Sequence, residues 1–180
     1  LAGGGANFPN GLPWEGGKKE WSSTLYVLEN QKWRVAKTKL PFPLAYSASV
    51  TLEDGILSIG GENAEYTTNK VFHLSYSSDI EDVIIKEYPS LPEPLAYTAA
   101  VKVADYVYVV GGKNSSSSTN SFYRLNVKEG KTWERLTDFP GEPRAVHALA
   151  VQDTPTNKKL FVFGGRNQRE GKKSKVFTNF

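Results

Sequence analysis

Short apolar runs rich in Val, Ile, Leu, Phe and Tyr return along the chain at intervals of about fifty residues, each closed by two glycines. GILSIGG, YVYVVGG and LFVFGG end at Gly60-Gly61, Gly111-Gly112 and Gly164-Gly165, and the opening LAGGG is the stump of the same run. Runs of this length and composition predict strands buried on both faces. After each pair and its loop comes another apolar run: TLYVL near Tyr26, KVFHLSY near Phe72, SFYRLNV near Tyr123 and KVFTNF near Phe177. A further run is headed by Trp33 in KWRVAK and Trp133 in TWERL, with Ile84 in the aromatic position of the middle copy. A proline-marked corner then appears in LPFPLAYSASV, LPEPLAYTAAV and FPGEPRAVHALAV. The small residues after each corner predict an innermost strand, where neighbouring units crowd together. The helix candidate DIEDVIIKEY carries β-branched residues and period-two charge, which predict strand instead.

Each repeat therefore reads as a small-residue strand, a glycine-pair strand, an aromatic strand and a Trp strand, followed by a corner. Four antiparallel strands at this period predict a β-propeller blade, and the period fits the kelch spacing. The expected fold class is all-β: a kelch-type β-propeller, six-bladed when complete, with about half the ring in this chain. Its expected divisions are a partial blade over residues 1–40, blades over about 45–91 and 96–139, and a partial blade over 145–180. Half a ring would leave two blade faces open to water. The expectation is that the remainder of the propeller, further residues or a second chain, completes it. The absence of Met points the same way, to a processed, trimmed or partial chain.

Strand parity places the loops. In an up-and-down blade the segment after each glycine pair and the corner between blades share one face, so 7–19, 62–67, 113–118 and 166–172 are expected to surround the central pocket. Corners near Pro41, Pro92 and Arg144 join them. The opening segment NFPNGLPWEGGKKEW is long for a plain connection, and long loops on rigid scaffolds are usually functional. A phosphate cradle would need a helix starting after the glycines, and Asn7-Phe8-Pro9-Asn10-Gly11 does not start one. Asn7, Phe8, Trp14, Glu15, Lys18 and Lys19 instead offer aromatic faces beside amide and charged groups, which is what sugar recognition requires.

The candidate substrate-binding residues are Asn7, Glu15, Glu62, Arg144 and Arg166. Arg166 follows Gly165 directly and is placed to meet an anion or to pair with Glu170. Glu62 reads as a pocket acid or a loop cap, and Arg144 in PRAVH as a binding residue or a link between blades. His73 and His147 read as packed, hydrogen-bonded histidines, too isolated for a metal site.

Composition narrows the classes. Hydrophobic content of 39% with 12% aromatics fits a globular domain, and no apolar run approaches the roughly 20 residues of a membrane helix. Without Cys there are no disulfides, thiolate metal sites or cysteine nucleophiles. The net charge of +3 is uneven, because seven Lys or Arg lie between Lys158 and Lys175 against Glu170 alone. No aromatics interleave with them, so a solvated surface is favoured over a nucleic-acid partner. Neither a nucleic acid nor a membrane is expected as a partner.

The repeats resemble kelch motifs, in which a glycine doublet follows an apolar strand with spaced Tyr and Trp. AGGGANFPNG with GGKKEW, then SIGGENAEYTTNKVF, is similar to the C-terminal part of the bacterial sialic-acid mutarotases, the N-acetylneuraminate epimerases. FPGEPRAVHALAV with LFVFGGRN is similar to their N-terminal part, so the order of halves resembles the cyclically permuted mutarotase family. The resemblance implies interconversion of the anomers of a sugar acid, N-acetylneuraminate, in the periplasm or outside the cell. It implies general acid-base ring opening, with no metal or redox cofactor. The family's glutamate and arginine in GE-x-KPGLR have no counterpart here: GGENAEYTTNK comes nearest, with Thr68 in place of the arginine. Catalytic residues are therefore left unassigned. A non-catalytic kelch module that binds a protein or glycan is the alternative. A copper radical oxidase, also built on kelch blades, would need a Cys-Tyr crosslink that this chain cannot form.

Overall fold

A computed structural model of the chain describes residues 1–154 and 156–177. The first unit holds β1 (Ala2–Gly3), β2 (Ala6–Asn7), a 3-10 turn at Pro13–Glu15, β3 (Glu20–Trp21), β4 (Thr24–Glu29) and β5 (Lys32–Lys39). The second holds β6 (Ala48–Leu52), β7 (Gly55–Ile59), β8 (Val71–Ser77) and β9 (Asp82–Tyr88). The third holds β10 (Ala99–Val103), β11 (Tyr106–Lys113), β12 (Ser118–Asn126) and β13 (Glu134–Leu136). The last holds β14 (Ala148–Thr154), β15 (Asn157–Phe163), β16 (Arg166–Asn167) and β17 (Lys175–Val176). The final three residues of KVFTNF lie outside the described residues.

The chain is all-β, part of a β-propeller. Antiparallel meanders β6-β7-β8-β9 and β10-β11-β12-β13 form two four-stranded sheets, flanked by β1-β4-β5 and β14-β15. DIEDVIIKEY supplies strand β9, as its charge pattern predicts. The small-residue strands β6, β10 and β14 lie side by side from sheet to sheet, as do the outer strands β5 and β9. The sheets are thus arranged around a common axis, with their first strands innermost.

Alternation explains why the strands read as continuous apolar runs. Successive side chains point to opposite faces, and each face of an inner sheet meets another sheet. Leu57, Ile59 and Val71 enter the core shared with the third sheet, packing with Val107, Val109 and Tyr123. Their neighbours Ile56, Phe72 and Leu74 enter the core shared with the first sheet, against Leu25, Val27 and Leu40. Leu57 and Ile59 are fully buried, each contributing about 1.5–3 kcal/mol of apolar transfer. On the uncovered faces of the first and last sheets Leu28, Trp33, Val35 and Phe163 remain exposed.

Polar staples fix neighbouring sheets. Buried Asp82 at the start of β9 accepts hydrogen bonds from the N–H groups of Lys37 (3.2 Å) and Thr38 (2.8 Å) and from the Thr38 hydroxyl (2.8 Å), all on β5. Trp133 donates its indole N–H to the Pro89 carbonyl at 2.8 Å, the reason for an aromatic at that place in this copy.

The glycine pairs clasp the corners. Gly60 and Gly61 have φ of 61° and 111°, a region closed to most side chains. A Cβ on Gly60 would strike the Leu95 carbonyl of the next corner, and one on Gly61 the Ala45 carbonyl of its own corner at 2.7 Å. The pair is wedged between two consecutive corners. Into that space Gly61 donates its N–H to the Leu95 carbonyl at 2.7 Å, and Gly5 and Gly112 make the same bond to Leu44 (2.7 Å) and Arg144 (2.9 Å).

Candidate functional site

Beyond each glycine pair the hairpin continues past its bend. Its next residue exchanges both backbone hydrogen bonds with the alanine of the corner: Glu62 with Ala45, Lys113 with Ala96, Arg166 with Ala145, all at 2.8–3.0 Å. Loops and corners therefore share one face, as strand parity predicts. The sequence reads Gly-Gly-x-Asn in every copy, with x being Ala6, Glu62, Lys113 and Arg166. In two copies the Asn folds the loop back on itself. The Asn63 side-chain oxygen accepts from the N–H groups of Glu65 and Tyr66, and that of Asn114 from Ser116 and Ser117, at 2.9–3.0 Å. Each x residue is thereby held at the same level of its sheet.

The corner residue after each alanine points toward the same region. Tyr46, Tyr97 and Val146 all have positive φ, 61°, 53° and 55°. Tyr97 donates its N–H to the Tyr46 carbonyl (2.9 Å), and Val146 donates to that of Tyr97 (3.0 Å). A chain of backbone bonds thus runs from blade to blade beside the axis.

Side chains converge there. The Tyr46 and Tyr97 rings stack with centroids 4.3 Å apart and planes 21° from parallel. Tyr97 donates its hydroxyl to Glu62 Oε1 at 2.9 Å, and Lys113 donates its ammonium to Oε2 at 3.2 Å. Lys19, at the end of the long first loop, holds its Nζ 4.3 Å from the Trp21 ring centre and 4.4 Å from that of Tyr46. Trp21 packs edge-on to Tyr46. Burial, reinforced by the bond to Glu62, pushes the Tyr97 pKa well above its ordinary value, so its hydroxyl stays a donor.

Arg166 stands one repeat beyond Lys113, on β16. Its Nε is buried without a hydrogen-bond partner, and no ion pair joins it to Glu170 among the described residues. Lys113 is paired with Glu62, Lys19 lies over Tyr46 and lines a surface groove with Glu20 and Glu65, and Arg166 holds the equivalent place one repeat on. Arg166, with Nε unpaired, suits an anionic ligand, and an arginine meets a carboxylate in a bidentate pose.

The other predicted residues lie elsewhere. Arg144 is buried between the last two sheets, its guanidinium 4.3 Å from the Phe177 ring centre and donating to the Gly164 carbonyl at 3.1 Å. Glu15 closes its own loop by accepting the Leu12 N–H at 2.8 Å, and Asn7 is an exposed residue of β2. Trp14 stands out from that loop, 79% exposed. His73 is packed, with Nε2 3.1 Å from Asp54 Oδ1. His147 is largely buried, and neither ring nitrogen has a hydrogen-bond partner. Among the described residues no group of three His, Asp or Glu is placed to hold a metal ion. The cleft of about 440 Å³ between the last two sheets is walled mainly by Val110, Phe122, Phe139, Leu160 and Val162, and lies away from the Glu62 group.

Sequence reasoning names Glu62 and Arg166 as candidates and puts Lys113 in a pocket segment without singling it out; Tyr46 and Tyr97 are not among its candidates. The Gly-Gly-x-Asn register carried the signal for Lys113, whereas LAYS and LAYT carried none for the turn of the two tyrosines.

Parts of the chain are similar to known proteins. A family model described as N-acetylneuraminate epimerase matches residues 88–180. An N-acetylneuraminate epimerase of Pasteurella multocida is 35% identical over 94 residues, covering 52% of this chain and 23% of that protein. One of Yersinia enterocolitica is 39% identical over 86 residues, 42% of this chain and 22% of that protein. One of Salmonella enteritidis is 42% identical over 74 residues, 36% of this chain and 19% of that protein. These alignments each span less than a quarter of the relative's own length.

Proposed function

Since the chain belongs to the N-acetylneuraminate epimerase family, we propose that it forms one wall of the substrate pocket of a mutarotase that interconverts the α and β anomers of N-acetylneuraminate. Arg166, with Lys113 beside it, holds the sugar carboxylate in this reading. The observation that carries it is the cationic group at the top of the blades: Arg166, with a buried Nε that no protein group meets, lies one repeat from the Lys113–Glu62 pair.

The reaction asks little of the protein beyond placement. A base removes the proton of the anomeric hydroxyl, the bond from the anomeric carbon to the ring oxygen breaks, and an acid protonates that oxygen. Rotation of the open-chain ketone and closure on its other face reverse both transfers. A fixed carboxylate keeps the reacting end in place while the carbon chain turns. That is the part assigned here to Arg166.

The test follows relaxation of freshly released α-N-acetylneuraminate by proton NMR with the full-length protein. Equilibrium is expected sooner than in buffer, with Arg166→Ala raising KM about tenfold or more. A wild-type rate equal to that of buffer overturns the proposal.

A further inference from the structure

We propose that the cationic cleft beside the last glycine pair is a second anion site, which takes a phosphate dianion, free or as the ester of a small molecule. It is separate from Arg166 and does not depend on the mutarotase reading.

The cleft has a volume of about 220 Å³ and lies between the corner that holds Glu142 and the loop after Gly165. Arg169, Lys172, Lys173 and Lys175 line it together with Asn167, against one carboxylate, Glu142. That carboxylate is already occupied. It accepts hydrogen bonds from the Lys175 ammonium and from Asn167 Nδ2 (3.2 Å), and the Arg169 guanidinium stands 3.5 Å from the oxygen that Asn167 meets. The Lys175 bond, with that from Asn167, holds the Glu142 pKa below its ordinary value, so the group stays charged. Asn167 is itself 2% exposed and fixes the carboxylate from β16. Lys172 and Lys173 are exposed, and among the described residues neither has an acidic partner. Four cations against one carboxylate repel one another, and a concave space lined by one sign of charge focuses its field on an incoming anion.

The fold does not demand this charge. The equivalent loops after Gly61 and Gly112 read ENAEYTTNK and KNSSSSTNS, with one lysine each, whereas the last reads RNQREGKKSK. Glu93 takes the corner place of Glu142, and its partners there are the Ser121 and Tyr123 hydroxyls at 2.5 and 2.7 Å. A corner carboxylate is thus satisfied without a cluster of cations. Neighbours along a strand point to opposite faces, so Asn167 and the cleft turn away from Arg166. Ammonium groups meet phosphate as point charges, and a guanidinium adds paired donors. The lining holds no aromatic ring on which a base would stack, which favours a small phosphate over a nucleic acid.

The experiment titrates isotope-labelled full-length protein with pyrophosphate, inorganic phosphate, a sugar phosphate and acetate at constant ionic strength, following backbone amides by NMR. Pyrophosphate is expected to bind about tenfold or more tightly than acetate and to shift the amides of Gly171 to Lys175. A Lys172→Gln, Lys173→Gln double variant should keep the wild-type melting temperature and bind pyrophosphate about tenfold or more weakly. Arg166→Ala should bind it as wild type does. A sugar phosphate that binds more tightly than inorganic phosphate identifies an ester as the ligand, and equal binding identifies the free ion; either result supports the site. The proposal is overturned if wild type shows no pyrophosphate shifts, if the double variant binds as tightly as wild type, or if only Arg166→Ala loses binding. Binding to phosphatidylglycerol vesicles without binding to the soluble phosphates also overturns it, because the cleft would then be a membrane contact.

Discussion

Tyr97 donates its backbone N–H to the Tyr46 carbonyl at 2.9 Å while the two rings stack at 4.3 Å, so the residues that line the axial wall also couple consecutive blades. Val146 continues the backbone chain with φ of 55° and a side chain 52% exposed. A β-branched residue there bears the strain without packing to offset it. Asn tolerates this conformation and leaves the N–H bond to Tyr97 in place. Val146→Asn is therefore expected to stabilise the protein by about 1 kcal/mol, read as a higher urea midpoint. A lower midpoint would mean that the valine side chain makes contacts worth more than the strain it bears.

A second prediction separates two costs at the glycines. Gly60 and Gly130 have nearly equal φ, 61° and 58°, but a Cβ on Gly130 meets nothing within 4 Å. Gly130→Ala should cost about 1 kcal/mol, the conformational penalty alone. Gly60→Ala adds collision with the Leu95 carbonyl and should cost about 3 kcal/mol or more. Urea denaturation of the two variants decides it. Equal losses would show that the wedge between corners relaxes freely.

The same glycines explain how far the sequence could be read. Gly-Gly pairs at a fifty-residue period announce blades because a bend wedged between two carbonyls accepts no other residue, and the apolar runs announce strands because both faces of an inner sheet are covered. Face assignment followed from parity alone. The axial wall was harder to see. Tyr46 and Tyr97 read as the start of small-residue strands, since nothing in LAYS or LAYT foretells that tyrosine will adopt positive φ and turn from the sheet. Lys113 was passed over because its role depends on a partner 51 residues away, Glu62. Arg144 shows the converse: its residue type allows anion binding, but its place between Phe139 and Phe177 commits it to packing.

Asp82 provides a third prediction. Burial acts to raise its pKa, yet the donors on Thr38, Val83 and Lys37 prevail and hold it below the ordinary carboxylate value. Asp82→Ala leaves the N–H groups of Lys37 and Thr38 without their acceptor and should cost about 2–3 kcal/mol. The stability that Asp82 supplies is present above its unfolded pKa and is lost as pH falls through the lower folded value. The difference between wild type and Asp82→Ala in urea should accordingly be constant near neutrality and shrink only in strong acid. A difference already declining from pH 7 to 6 would assign the effect to another group.

His147 should govern the pH range above that. Its ring is packed beside Gly111 and Gly165 with no partner for either nitrogen, and its pKa is pushed down to about 4. Burial is the main cause. The nearby Val110 backbone opposes it, and the charge of Arg144 adds to it. Unfolded, the imidazole titrates at its ordinary value near 6.5. Its neutral form is the one the folded protein accepts, so below pH 6.5 the unfolded chain takes up a proton first. Stability then falls until the folded state is protonated as well, near pH 4. The loss across that window is on the order of 3 kcal/mol. Ser47 and Thr98 occupy the equivalent corner positions and donate their hydroxyls to the Gly60 and Val110 carbonyls at 3.0 and 2.9 Å. His147→Thr should therefore fold and should flatten the decline in urea midpoint between pH 6.5 and 4 relative to wild type. Parallel curves for the two proteins would show that the buried imidazole is not the group being titrated.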